Sequence, residues 1–330
     1  MNLEKLSIVL RDQPAYRFKQ AQQAIFRDFI DDWQKVTVLP VSLRVELNQQ
    51  CPLGINGQLT ESASQDTAKA VVVFDDGAKV ETVLLKHQDG RRTVCVSSQV
   101  GCPLACTFCA TGQMGFKRDL MAEEIVEQLL FFGRQLKINN ERISNVVFMG
   151  MGEPFLNYDQ VIKAIRIIND PDGLNVGIRH VSISTVGITS GINKLARENL
   201  QVNLAISLHA PDEVLRTKLV PANRKYPIKA ILPAVDQYIK KTRRRVMFEY
   251  LLIRGVNDSA NHAQKLAKLM NRPLCFVNLI TYNATGLYQT STAQATQNFK
   301  RVLERAGVAV TQRHRFGRDL KAACGQLATD

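Results

Sequence analysis

Beyond Pro14, the segment AYRFKQAQQAIFRDFIDDW places Phe18, Ala21, Ile25 and Phe29 at helical spacing, with Lys19, Arg27 and Asp28 among the polar positions between them. The spacing predicts an amphipathic helix, and a proline suits its first turn. Further on the period shortens to two. AKAVVVF (68–74) and VETVLL (80–85) read as short strands joined by the turn signal DDG at 75–77. From residue 93 onward, strand-like apolar runs alternate with helical ones. The expected strands are TVCVSS (93–98), SNVVFMG (144–150), HVSIST (180–185), VNLAISL (202–208), VMFEYLL (246–252) and CFVNLIT (275–281). Between the first two, Ile125, Leu129, Phe132 and Leu136 share one helical face, and Val161, Ile165 and Ile168 do the same after the second. A later helix carries Phe299, Val302 and Ala306 and stops at Gly307, a residue favoured just past a helix end.

Strands alternating with helices favour parallel βα units. The expected fold class is therefore α/β: a partial (β/α)6 TIM-like barrel, with an open doubly wound sheet as the second option. Residues 1–50 form a small N-terminal helical module, 51–92 a β-rich connection and 93–330 the barrel core. In either architecture the loops after the strand C-termini gather at one rim, and chemistry belongs there.

Composition narrows the class of partner. At 330 residues and 45% hydrophobic content a sizeable core can be buried. An excess of 43 Lys and Arg over 30 Asp and Glu, a formal charge of +13, favours a polyanionic partner such as nucleic acid. An acidic membrane surface is the alternative, but no apolar run approaches the ~20 residues of a spanning helix. The start, MNLEKLSIVLRDQ, carries charges where a signal peptide needs an apolar centre. A soluble, cytoplasmic, monomeric protein is expected. The densest basic runs are KKTRRR (240–245) and QRHRFGR (312–318), with Arg224 and Lys225 in PANRKYP a third candidate for phosphate contact. The N-terminal module is a further candidate for gripping a folded RNA.

Seven cysteines is an odd count, and their clustering is unlike a disulfide framework. CVSSQVGCPLACTFCATGQMGF holds Cys95, Cys102, Cys106 and Cys109, the last three as C-x3-C-x2-C directly after the first barrel strand. Thiolates bind both zinc and iron–sulfur clusters. Structural zinc takes four closed ligands, commonly as two C-x2-C pairs, and no second pair exists here; completion by a His or a distant Cys is the zinc alternative. Three thiolates on a 4Fe-4S cluster leave one iron free for a reactive ligand.

The C-x3-C-x2-C loop resembles the signature of radical S-adenosylmethionine (SAM) enzymes, whose open iron is chelated by the amino and carboxylate groups of SAM. CVSSQVGC, FMGMGEP, SISTVGI, ISLHAP and AACGQL, in this order over nearly the whole chain, resemble the RlmN/Cfr family of radical SAM RNA adenine methyltransferases. The resemblance implies a 4Fe-4S cluster on Cys102, Cys106 and Cys109. It implies SAM contacts at Gly152, Glu153, Ser184, Ser207, Leu208, His209 and Asn283. Apart from the resemblance, G-x-G-E is more often only a tight turn, and a lone histidine a structural one. Asn283 is followed by Ala284, where family members usually carry proline.

By the same resemblance, Cys324 accepts a methyl group as thiolate, Cys95 forms a transient disulfide with it, and Glu81 accepts a proton. Two SAM molecules are used per turnover: one methylates Cys324, and reductive cleavage of the other yields a 5′-deoxyadenosyl radical that takes hydrogen from that methyl. The methylene radical adds to adenine, and Cys95 releases the methylated RNA from the covalent adduct. The implied partners are 23S rRNA, transfer RNA, and an electron-donating reductase or flavodoxin. Family members attack C2 or C8 of adenine; CATG and FG lean toward the C8 type, while the overall pattern is met in C2 enzymes, and C2 is the expectation. Two other classes compete: a non-enzymatic RNA-binding protein with a structural metal, and a radical SAM enzyme acting on a non-RNA substrate.

Overall fold

A computed structural model describes residues 1–313, 316–317 and 319–329. The N-terminal module holds three helices, α1 (Leu3–Val9), α2 (Ala15–Phe26) and α3 (Val41–Gln50), of which only α2 was legible in the pattern. Ala21 and Ile25 are buried as the spacing requires, but α2 ends before Phe29, which takes a left-handed φ of 52°. Trp33 closes the module from within: it is fully buried, and its Nε1 donates to the carbonyl of Cys51 at 2.8 Å. Cys51 is thereby a core thiol.

Strands β1 (Asn56–Glu61), β2 (Thr67–Val73) and β3 (Lys79–Lys86) form an antiparallel meander, with Gly77 at φ 77° in the DDG turn. The meander does not stand apart. β3 pairs antiparallel with β4 (Arg92–Val96), matching Val83 to Cys95, so β1–β3 extend the sheet of the core. After β4 come the short β5 (Gln99–Gly101), α4 (Ala110–Gln113) and β6 (Phe116–Asp119), then α5 (Ala122–Ile138), β7 (Asn145–Phe148), α6 (Tyr158–Asn169), β8 (Val181–Thr185) and α7 (Thr189–Leu195). The second half runs β9 (Asn203–Ser207), α8 (Glu213–Leu219), α9 (Ile228–Thr242), β10 (Val246–Leu252), α10 (Ala260–Leu269), β11 (Cys275–Thr281), α11 (Ala293–Arg305) and β12 (Val310–Gln312).

β4, β7, β8, β9, β10, β11 and β12 are parallel in that order, and among the described residues no pairing joins β12 back to the start of the sheet. This is the expected α/β partial barrel of six βα units, followed by a seventh parallel strand, β12. β12 escaped the pattern because it is three residues long, with a single Val. Helix faces follow the periodicity. Ile125, Leu129, Phe132 and Leu136 of α5 and Val161, Ile165 and Ile168 of α6 are all buried in one continuous core. β10 is buried along almost its whole length, as a strand covered on both faces must be. No described helix is long and apolar enough to cross a membrane.

Candidate active site

The cysteine loop is closed at its base by a small sheet. β5 and β6 pair antiparallel, and the Cys102 N–H donates to the Gly115 carbonyl at 2.8 Å. Gly101 makes this closure possible: its φ is 76°, and a Cβ there would stand 1.9 Å from the Gly115 oxygen. The strand pair thus delivers Cys102, Cys106 and Cys109 together into a cavity of about 150 Å³ at the C-terminal ends of the barrel strands. Burial pushes the Cys102 thiol up to about 12, with Glu153 and Cys109 adding repulsion. Burial also holds Cys106 well above the usual thiol range, with Cys109 and Cys102 contributing. Such thiols prefer a proton until a cationic centre displaces it. Among the described residues, no three Cys, His, Asp or Glu side chains converge on a point that could hold a single metal ion. The three thiols nevertheless line one chamber, where they can serve as three ligands of a cluster.

Opposite the cysteines, the loop after β7 brings Gly152 and Glu153 to the same cavity. Gly152 takes a φ of 100°, and a Cβ on it would strike the backbone and side chain of Gln99. Both carboxylate oxygens of Glu153 are engaged, Oε1 by the Phe155 N–H at 3.0 Å and Oε2 by the Val186 N–H at 2.8 Å. Burial nevertheless raises its pKa to about 7, outweighing those hydrogen bonds. Ser184 and Ser207, at the ends of β8 and β9, bring their hydroxyls to 3.1 Å of each other on the cavity wall.

His209 lines the cavity too. Burial, then Arg216, pushes its pKa down to about 3, so the ring is neutral. The Leu251 N–H donates to Nδ1 at 3.2 Å, which leaves the proton on Nε2. The ring meets Phe108 edge-on, centroids 4.9 Å apart. Leu208 does not face the cavity: it is fully buried, and its backbone is bonded to Glu249 and Arg216.

Cys324 enters from the C-terminal segment, which is tied to the cysteine loop by the Ala110 N–H to Gly325 O at 2.7 Å and by Thr111 Oγ1 to Leu327 O at 2.6 Å. Its sulfur lies on the wall between the large cavity and a smaller one lined by Cys95 and Asn283. Charges separate two thiol sets. Cys102 and Cys106 respond to Cys109 and Glu153, whereas Cys95 responds to Cys324. Cys95 is raised to about 12, chiefly by burial. Asn283 donates to the Cys324 carbonyl at 3.4 Å and lies outside the larger cavity. Glu81 borders neither cavity. It is buried, paired with Lys69 at 2.7 Å, and accepts from the Ala328 N–H at 2.9 Å, three residues beyond Gly325.

Two charged side chains on the cavity walls escaped the sequence reading. Arg313 stood within a basic run expected on the surface; the structure turns it inward, at the end of β12, between the two cavities. Its Nη1 approaches Met149 Sδ at 3.6 Å, and the anionic groups around it, Cys324 first and then Glu249 and Cys95, hold Arg313 above its usual range. Glu249 is a buried carboxylate on the large cavity, approached by Asn278 Nδ2 at 3.3 Å, and burial raises its pKa. A signal for it existed: VMFEYLL carries one acid in an otherwise apolar buried strand.

The basic runs sort by face. KKTRRR ends α9 and precedes β10, so it lies at the strand N-termini, on the face opposite the site; Arg244 there bonds to Val202 O and Asn203 Oδ1. Arg224 and Lys225 are exposed, close after Leu219, whose carbonyl accepts from the Thr107 N–H of the cysteine loop at 3.0 Å. They remain on the reactive side. Of QRHRFGR, His314, Arg315 and Arg318 lie outside the described residues.

The chain is similar to known proteins along nearly its whole length. The profile of the radical SAM superfamily matches residues 96–267. A probable dual-specificity RNA methyltransferase RlmN of Dictyoglomus thermophilum is 43% identical, over 99% of this chain and 94% of its own. A ribosomal RNA large subunit methyltransferase N of Nitrosopumilus maritimus is also 43% identical, over 99% of this chain and 96% of its own. The crystal structure of a radical SAM methyltransferase from Sphaerobacter thermophilus superposes with a TM-score of 0.95 at 41% identity, covering 99% and 97% of the two chains.

Proposed function

Because the chain belongs to the radical SAM superfamily and, within it, to the RlmN family of RNA methyltransferases, we propose that it methylates C2 of adenosine in 23S rRNA, with transfer RNA a second substrate and Cys324 the methyl carrier. The observation that carries the reading is the placement of Cys324 on the wall shared by the two chambers, one with the three loop cysteines and one with Cys95. A relative named for the ribosomal RNA large subunit supports the ribosomal substrate. The words dual-specificity in another relative's name support a second RNA.

On this reading Cys102, Cys106 and Cys109 hold a 4Fe-4S cluster, and Gly152, Glu153, Ser184, Ser207 and His209 hold SAM. When bound, the two groups supply an electron, a methyl group on sulfonium, and a source of carbon-centred radicals. Each residue then has a task suited to its surroundings. Gly152 lets backbone approach the cofactor, and the Glu153 carboxylate accepts a hydrogen bond from its amino group. The serine hydroxyls and the His209 Nε2–H donate hydrogen bonds without adding charge. Cys324 takes the methyl group at its sulfur and presents it first to the large chamber and then to the base. An aromatic C–H has no lone pair with which to attack a sulfonium, so the carbon cannot be methylated directly and a carrier on the protein is needed.

Two SAM molecules serve each turnover, one per task. Cys95, as thiolate, attacks the Cys324 sulfur and forms a disulfide with it, while the electron pair of the broken carbon–sulfur bond passes to the former methyl carbon, which takes up a proton as the product leaves. Glu81, outside both cavities but bonded to the C-terminal segment, is the candidate final acceptor of the ring proton. The target adenosine is unstacked to reach the rim. A flavodoxin or reductase in the cytoplasm restores the cluster and the thiols.

Mass spectrometry of nucleosides from 23S rRNA and transfer RNA, with and without the enzyme, is expected to show new 2-methyladenosine. A new 8-methyladenosine peak would transfer the reaction to C8, and no new peak in any RNA would remove RNA as substrate.

Glu153 gives a pH signature. A carboxyl raised to about 7 is largely protonated below that pH, and the anion is the form that accepts from the amino N–H of the cofactor. SAM affinity measured by calorimetry is expected to fall about tenfold per pH unit below about 7 and to level off above about 8, with proton release on binding near neutrality. Glu153→Gln binds weakly at every pH. A flat wild-type profile between pH 6 and 8 contradicts the assignment.

A further inference from the structure

Arg216 is fully buried in α8, and it is a cation among neutral partners. Nε donates to Leu208 O at 3.1 Å; Nη1 donates to Asn223 Oδ1 at 2.7 Å and Tyr226 O at 3.0 Å; Nη2 donates to Ser207 O at 3.1 Å and to Val186 O. All five acceptors are carbonyl oxygens. Glu213, on the preceding turn, is spent on Asn223 Nδ2 and on the N–H groups of Ile228 and Lys229, and among the described residues no carboxylate forms an ion pair with Arg216.

A buried guanidinium without a counter-charge is costly, and folds seldom keep one. The cysteine loop leans on the same helix: the N–H of Thr107, next to Cys106, donates to Leu219 O at 3.0 Å at the end of α8, and Val186 and Ser207, whose carbonyls Arg216 holds, line the cavity together with Cys106. Three thiolates on a dicationic 4Fe-4S cluster leave a net negative charge, and one-electron reduction adds another. The guanidinium thus stands directly behind the wall of the cavity that the three loop cysteines share.

We propose that Arg216 is the built-in counter-charge of the cysteine-bound cluster, favouring its reduced state, while its hydrogen bonds fix the carbonyls of Val186, Ser207 and Leu208 beside the cofactor cavity. It touches neither the cavity nor the reacting atoms and acts as a positioning residue. The inference rests on the reading that Cys102, Cys106 and Cys109 hold the cluster. It goes beyond that reading by giving the cluster's charge a specific partner from a different βα unit.

The test is a potentiometric titration, followed by electron paramagnetic resonance, of full-length enzyme reconstituted anaerobically without SAM. Arg216→Gln removes the charge; Arg216→Lys keeps it while losing most of the hydrogen bonds. At a fixed ambient potential, Arg216→Gln is expected to hold about tenfold less reduced relative to oxidised cluster, about 59 mV for a one-electron couple, while Arg216→Lys stays within about threefold of wild type. Retention of iron and sulfide by the Lys variant alone also supports the charge. An unchanged ratio in Arg216→Gln overturns the inference. So does a Lys variant as shifted as the Gln variant, or loss of the cluster from both, because geometry and not charge is then what matters. A wild-type protein that binds no cluster at all defeats the earlier reading instead.

Discussion

Cys324→Ala is expected to bring RNA methylation to background, a loss of at least roughly 1000-fold, while iron and sulfide content stay at the wild-type level. The separation follows from where the thiols sit. Cys324 borders the large cavity and also lines the smaller one with Cys95 and Arg313, where none of the loop cysteines lies. Removing its sulfur deletes the carrier and leaves the three proposed cluster ligands untouched. No other described thiol can substitute: Cys51 is sealed beneath Trp33, and Cys275 opens β11 at the opposite end of the barrel. Cys324→Ser tests the same point more strictly. The hydroxyl keeps size and hydrogen-bonding capacity near Arg313, yet an alcohol is a far weaker nucleophile toward a sulfonium than a thiolate. Methylation is measured by label transfer from methyl-labelled SAM, and cluster content by iron and sulfide assay. Equal loss of cluster and activity would mean that Cys324 is a fourth ligand and not a carrier.

The second large effect is expected at Cys95. Cys95→Ala should stop the reaction after the adduct forms, so that a covalent protein–RNA species accumulates to about one equivalent per enzyme and multiple turnover disappears. Cys95 is buried on β4 and shares the small cavity with Cys324. A thiol pushed up to about 12 remains protonated near neutral pH. It therefore does not compete with Cys324 for the methyl group, and its attack is reserved for the stage when a base has removed its proton. Denaturing gel electrophoresis with labelled RNA resolves the adduct from free enzyme. Continued turnover by Cys95→Ala would assign product release to another group.

Much of this architecture was written in local patterns. The helical faces of α5 and α6 and six of the seven parallel strands were visible because each repeats its period over several residues. The cysteine loop was visible because its ligand spacing is short and contiguous. What stayed hidden depends on three-dimensional proximity. Nothing in EVLRTKL distinguishes Arg216 from a solvated helix arginine; its burial comes from the loops after β8 and β9 closing over it. Arg313 looked like one more member of a basic run, and only the short β12 turns it inward. KKTRRR looked like a docking patch, but placement on the opposite face follows from its lying before β10 and not after it. Polarity of position along a βα unit is worth more here than charge density. Glu81 shows the same limit from the other side: its burial and its bonds to Lys69 and Ala328 arise between the meander and the C-terminal segment.

The central claim is that a methyl group passes through the sulfur of Cys324. Enzyme loaded with methyl-labelled SAM under reducing, anaerobic conditions, freed of excess cofactor and digested, is predicted to carry the label on the Cys324 peptide and on no other. Addition of substrate RNA with unlabelled SAM and reductant then moves that label into adenosine. Label that reaches RNA without ever residing on Cys324, or label that stays on the peptide while RNA becomes methylated from the fresh SAM, would contradict it.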